Sequence, residues 1–266
     1  MIRGAGAVLV ALVLFAPACG RDAPPEPPPG SAAPKTEAKP ASGPTEAAGI
    51  RYLERVTGGA AATERLPLVV AIHGLGDRPE SFVRLFDRIE GRMRVVVPYG
   101  TSPHGDGFSW FPLARRDPAK LAEGTALAAD GLATMLEELE RTKPTRGRPI
   151  VTGFSQGGML SFTLAVKHPE RVGEALPLAG LLAPPLYPSA WPMGKLAPKV
   201  HAFHGDADAM VPLSGATETV RALVAVGFSA ELTTYPGVGH TVSASMRGDW
   251  QKALEAAAER AAASSP

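Results

Sequence analysis

A single cysteine, Cys19, among 266 residues leaves no internal disulfide possible, so nothing in the fold can lean on covalent staples. Charge of either sign is equally scarce in excess: 27 Lys and Arg stand against 26 Asp and Glu, for a net charge of +1, and no basic stripe interrupts the balance. That pattern disfavours a nucleic-acid partner. The chain has no internal repeat and no stretch resembling a long lid domain. Nor is the apolar run at residues 7–15 long enough to cross a bilayer as a permanent helix, although behind Arg3 it has the form of a signal-peptide core.

The residues after that run support an exported protein. Ala16-Pro17-Ala18 is a small-residue cleavage site, and Cys19 directly after it resembles a bacterial lipoprotein box. Residues 1–18 are therefore expected to be a signal peptide and Cys19 a lipidation site, with a soluble periplasmic or secreted protein as the alternative. Any contact with a membrane would run only through that anchor. Residues 19–49 are rich in Pro and Ala without apolar periodicity, which predicts a semi-extended tether unable to bury a core. Residues 50–266 then form one domain.

The chemistry concentrates at Val151-Thr152-Gly153-Phe154-Ser155-Gln156-Gly157-Gly158. Gly-x-Ser-x-Gly after an apolar strand predicts a sharp strand-to-helix turn that exposes the serine oxygen on a strained backbone. Pro149 to Val151 is the entering strand, and residues 159–166 the apolar helix that leaves, stopped by Pro169. A serine hydroxyl needs a base in reach and a carboxylate to fix the base's tautomer. Downstream, residues 199–205 form a strand running into the acidic loop at Asp206 and Asp208. Residues 230–235 form another, with the glycine-rich loop Pro236-Gly237-Val238-Gly239-His240 after it. The order Ser, Asp, His is that of the α/β-hydrolases.

Of the two aspartates, Asp206 comes at once after its strand and suits an Asx-type bond that ties down the turn. Asp208, farther out, is favoured as the acid, in part on a family resemblance. His201, His204, Asp206 and Asp208 also spell a possible zinc motif. Three residues apart on a strand, however, the two histidines point to opposite faces, so no metal and no cofactor is expected.

Residues 66–72 are the strongest strand candidate and lead into His73-Gly74-Leu75-Gly76-Asp77, a loop able to turn amides inward; His73 is read as a support beneath it. Residues 95–97 and 174–178 are further strands, and 121–141, 213–226 and 250–263 helices. This alternation predicts an α/β fold with a mostly parallel central sheet and helices on both faces.

These motifs, together with Ser109-Trp110-Phe111 and Val211-Pro212-Leu213, make the chain similar to the phospholipase/carboxylesterase group of α/β-hydrolases, which includes acyl-protein thioesterases. The resemblance runs from about residue 66 to 250. It implies Ser155 as nucleophile, Asp208 as acid, His240 as base, the backbone N–H groups of Leu75 and Gln156 as oxyanion donors, and a substrate groove near Trp110. Phe111, Pro112 and Leu113 depart from the family pattern, which typically has an aspartate after Trp-Phe. Trp110, Phe111, Leu181 and Trp191 are expected to wall an apolar acyl pocket. The expected reaction is hydrolysis of small, short or medium acyl esters through an acyl-enzyme. A feruloyl or polyester esterase is the alternative within hydrolases, and a catalytically silent ligand-binding lipoprotein the alternative outside them.

Overall fold

A computed structural model describes residues 45–113, 117–191 and 196–264. The expected signal peptide, Cys19 and most of the expected tether lie outside the described residues. Among those described, no helix is long and apolar enough to cross a membrane.

The elements in chain order are β1 (Thr45–Ala47), β2 (Ile50–Val56), β3 (Leu68–Ile72), α1 (Pro79–Phe82), β4 (Arg94–Pro98), β5 (Ser102–His104), β6 (Gly107–Ser109), α2 (Pro118–Thr142), β7 (Ile150–Phe154), α3 (Gln156–Lys167), β8 (Glu174–Leu178), β9 (Lys199–Gly205), α4 (Leu213–Ala225), β10 (Ala230–Tyr235) and α5 (Ala244–Ala263). Eight strands form one sheet in the order β1-β2-β4-β3-β7-β8-β9-β10, and β5 pairs with β6 in a separate hairpin. From β4 to β10 every neighbour is parallel; β2 runs antiparallel to β4, and β1 to β2. The expected α/β-hydrolase architecture is therefore present, with an antiparallel margin.

Strand β3 shows why the sheet sits where it does. All five of its residues are buried, as a strand covered on both faces requires. Leu68, Val70 and Ile72 face a core shared with Leu132, Leu136, Leu160 and Phe162 from α2 and α3. Val69 and Ala71 face the opposite core, with Phe86, Trp250 and Leu254. Alternation along one strand thus fills two layers.

The domain begins earlier than expected. Thr45 pairs with Tyr52 and Ala47 with Ile50, so the last residues assigned to the tether belong to the sheet. Ala48 and Gly49 both have positive φ (49° and 75°), the conformation of a two-residue hairpin turn whose twist matches its strands. The Ala48 N–H donates to Glu138 on α2 at 2.7 Å. Thr-Glu-Ala carries no apolar signal, which is why the strand is silent in the sequence.

Helix ends also shift outward, for reasons of capping. Asp117 accepts the Lys120 N–H and Pro118 opens α2, three residues ahead of the apolar pattern. Ser243 accepts the Met246 N–H and starts α5 at Ala244, six residues before the expected Trp250.

The parallel register brings the carboxyl ends of the strands to one edge. Ile72 lies beside Gly153, Phe154 beside Leu178, Leu178 beside Phe203 and Gly205 beside Tyr235. The loops after β3, β7, β9 and β10, which carry His73–Asp77, Ser155, Asp208 and His240, all emerge there.

Candidate active site

Ser155 stands between β7 and α3 with φ 57° and ψ −112°. A non-glycine residue in that region stores about 1–3 kcal/mol of strain and must be held there. Its N–H donates to the Leu178 carbonyl at 3.0 Å, and its carbonyl accepts the Met159 N–H at 2.9 Å. Close approach fixes the turn as well: a Cβ on Gly157 would sit 1.8 Å from the Ile72 carbonyl oxygen. Only glycine lets α3 start against the end of β3.

His240 reaches this serine with Nε2 2.9 Å from Ser155 Oγ. Its Nδ1 lies 2.7 Å from Asp208 Oδ2. A carboxylate only accepts, so Nδ1 carries the proton and Nε2 presents its lone pair to the hydroxyl. The Phe154 ring packs against the imidazole at 4.8 Å between centroids and limits its swing.

The Asp208 side chain is fully enclosed. Burial by itself would push its carboxyl up. The hydrogen bond from His240 and those from the Val211 and Met210 N–H groups outweigh burial and hold it below the ordinary value. Both backbone bonds end on Oδ1 at 2.9 Å, and Oδ2 meets the His240 imidazole at 2.7 Å with His204 Nε2 farther off at 3.4 Å. Asp206 performs a different task from the one expected. Its carboxylate accepts the Gly237 N–H at 2.7 Å, tying down the loop of His240 rather than its own turn.

Of the zinc motif only His204 and Asp208 meet, with Nε2 3.4 Å from Oδ2, and among the described residues no group of three ligands forms. His201 meets Thr233 Oγ1 at 2.8 Å and Glu231 at 3.1 Å on β10. His204, fully buried, donates from Nε2 to the Val211 carbonyl at 2.8 Å, and desolvation pushes its pKa down. Asp206 is taken by the Gly237 N–H, and Asp208 by two backbone donors and His240.

Beside Ser155 lies a cavity of about 260 Å³, walled by Leu75, Leu113, Leu121, Met159, Met210 and Val211 and bordered by Asp77 and His240. Among the described residues, neither the Leu75 N–H at its wall nor the Gln156 N–H at the start of α3 has a protein acceptor. A strained serine, an imidazole with its carboxylate, two open amide donors and an apolar hollow together form an arrangement able to support acyl transfer.

The phospholipase/carboxylesterase family matches over residues 59–257, most of the chain. The chain belongs to that family. It is 23% identical over 202 residues to acyl-protein thioesterase 1 of Gibberella zeae, covering 68% of this chain and 86% of that protein. A probable carboxylesterase of Oryza sativa subsp. japonica is 29% identical over 203 residues, covering 69% and 75% respectively. Among solved structures, esterase PE8 superposes with a TM-score of 0.62 at 26% identity, covering 76% of this chain and 99% of that one.

Within this family frame, the expected pocket residues need correction. None of Trp110, Phe111, Leu181 and Trp191 lines the cavity at Ser155. Trp110 is buried, its ring 5.2 Å from His73 and its indole N–H donating to the His73 carbonyl at 3.0 Å. Once the indole finds that carbonyl, the ring faces inward beneath the loop. The Phe111 carbonyl accepts the Gln156 side-chain amide at 2.8 Å, and the oxygen of that amide accepts the Trp110 N–H at 3.1 Å. Ser-Trp-Phe is therefore clamped to the serine turn by Gln156. Leu181 packs over Gly215 on α4, and Trp191 lies edge-on to Phe228 at 4.4 Å.

His73 takes the supporting position read from the sequence. The Gly100 N–H donates to its Nε2 at 3.1 Å, which places the proton on Nδ1, bonded to the Gly74 carbonyl at 2.7 Å. Desolvation pushes its pKa down and keeps the ring neutral. The clamp by Gln156 was not expected; its sequence signal was the glutamine itself, an amide with two donors and an acceptor beside the nucleophile.

Proposed function

We propose that the protein is a serine carboxylic-ester hydrolase acting through an acyl-enzyme, with Ser155 as nucleophile, His240 as general base and acid, and Asp208 as the carboxylate that orients it. The observation that carries this reading is the unbroken chain from Asp208 through His240 to Ser155, at 2.7 and 2.9 Å. Ser155 Oγ attacks the ester carbonyl as Nε2 takes its proton. Asp208 stabilises the imidazolium without being protonated itself. The Leu75 and Gln156 N–H groups receive the oxyanion. Collapse of the intermediate expels the alcohol, which takes its proton from His240, and a water then repeats the sequence to release the acid. The same steps serve a thioester.

The acyl chain occupies the cavity walled by Leu113, Leu121, Met159, Met210 and Val211. At about 260 Å³ it falls below the roughly 300–1,000 Å³ of common small-molecule sites, which favours short or medium chains. Export and attachment through Cys19 remain part of the proposal on the sequence signal alone. A panel of p-nitrophenyl esters from acetate to palmitate tests the substrate reading: kcat/KM should peak at short or medium length. A maximum at palmitate would contradict it. Labelling of Ser155 by a fluorophosphonate separates an enzyme from a silent binding protein, which would remain unlabelled.

A further inference from the structure

The cavity at Ser155 is walled in part by sulfur, and its two thioethers differ in access. Of the seven methionines in the chain, Met1 and Met193 lie outside the described residues. Met93, Met135 and Met246 are fully buried, and Met159, near the start of α3, is 6% exposed. Met210 is 49% exposed and is also a wall of the cavity, with Leu75, Leu113, Leu121, Met159 and Val211. Among the described residues, the one methionine open to solvent therefore lines the acyl site.

The acid of the site sets its position. The Met210 N–H donates to Asp208 Oδ1 at 2.9 Å, and the buried Val211 after it donates to the same oxygen. Backbone bonds thus hold Met210 at the cavity mouth whatever happens to its side chain. Chemistry on the sulfur leaves Asp208, His240 and Ser155 joined as they are, through Oδ2, Nδ1 and Nε2.

We propose that Met210 is an oxidation site, and that its sulfoxide weakens the hold of the cavity on acyl chains. A sulfur lone pair attacks one oxygen of hydrogen peroxide and the O–O bond breaks. The other oxygen leaves as hydroxide, which takes the proton from the oxygen now on sulfur and becomes water. Sulfur is oxidised by two electrons and the peroxide reduced by two. An apolar, polarisable thioether becomes a polar sulfoxide. Facing Leu113, Leu121 and Met159, that oxygen either keeps its water, which displaces part of an acyl chain, or loses it at a cost. This inference rests on the ester-hydrolase reading and adds a control on its acyl preference.

The test treats the full-length protein with graded hydrogen peroxide, maps its peptides by mass spectrometry and compares p-nitrophenyl acetate with p-nitrophenyl hexanoate. Met210 should convert ahead of Met93, Met135, Met159 and Met246, since oxidation follows exposure. As it converts, the hexanoate-to-acetate ratio of kcat/KM should fall by about fourfold to fifteenfold, the effect of spoiling the burial of one or two methylenes. Acetate turnover and fluorophosphonate labelling should change by less than about twofold, because the triad is untouched. Met210→Leu, compared with its own untreated activity, should keep its ratio under the same peroxide, whereas Met159→Leu should lose it as the native protein does. Methionine sulfoxide reductases should restore the ratio. Conversion of a buried methionine ahead of Met210, an unchanged ratio in fully converted protein, or an equal fall in Met210→Leu would overturn the proposal and leave the hydrolase reading standing. Absence of both ester turnover and fluorophosphonate labelling before any peroxide is added would overturn the hydrolase reading itself.

Discussion

Replacing Asp208 with asparagine tests the direction of every hydrogen bond in the site. In the native protein Oδ1 accepts the Met210 and Val211 N–H groups and Oδ2 accepts from His240 Nδ1. Asparagine must keep its carbonyl oxygen towards the two backbone donors, because the reverse orientation sets its NH₂ against both. The NH₂ therefore faces His240 Nδ1, which can then only accept. The imidazole proton moves to Nε2, and Ser155 Oγ meets a donor instead of a lone pair. Holding the base in the wrong tautomer costs about 10⁴ in kcat. Asp206→Asn makes a sharp control, because its single bond to the Gly237 N–H survives through the amide oxygen and kcat should change by no more than about threefold. Both variants should be compared by kcat on p-nitrophenyl butyrate at pH 8, with thermal melts to confirm folding. Retention of more than about a tenth of native activity by Asp208→Asn, or a larger loss in Asp206→Asn, would refute the reasoning.

Other perturbations give outcomes of different kinds. Gly157→Ala drives a Cβ to within 1.8 Å of the Ile72 carbonyl, which must displace either the serine turn or the His73 loop; kcat should drop by at least about a hundredfold, and near-native kcat would contradict the close packing. Glu54→Ala strips the enclosed Arg94 guanidinium of its carboxylate and also removes the Lys143 contact at 2.7 Å, so denaturant unfolding should show a loss of about 3–5 kcal/mol; a loss below about 1 kcal/mol would contradict it. The pKa values of buried His73 and His204 are lowered from the ordinary 6.5. Below pH 6.5 the unfolded chain thus binds protons that the folded one refuses, and stability present above that pH declines as pH falls, by up to about 1.4 kcal/mol per pH unit for each histidine. A melting temperature unchanged from pH 7.5 to 5 would contradict this.

The residues of the serine turn were legible because their demand is local. Gly153, Ser155 and Gly157 are required by one backbone reversal, and the glycine spacing displays it directly. The loops that carry Asp208 and His240 follow from the order of strand ends on a parallel sheet, which the buried runs at β3, β7 and β9 already announce, and the choice of Asp208 over Asp206 drew also on the family resemblance. Strand β2 was obscured by Glu54 and Arg55, whose charges are matched by Arg94, Lys143 and Asp87 from other elements. The cavity wall was illegible for a related reason. Leu113 and Leu121 are far in sequence from Met159 and from Met210, and they converge only through packing. Trp110 has the composition of a pocket residue, and its direction depends on a carbonyl 37 residues away.

Covalent capture of the nucleophile tests the central claim most directly. The protein should be treated with a fluorophosphonate and its peptides analysed by mass spectrometry. One adduct per chain on Ser155, formed with loss of esterase activity in the same proportion and strongly slowed in His240→Gln, is the predicted result. Stoichiometric inactivation with the adduct on another residue, or undiminished ester turnover by pure Ser155→Ala, would contradict it.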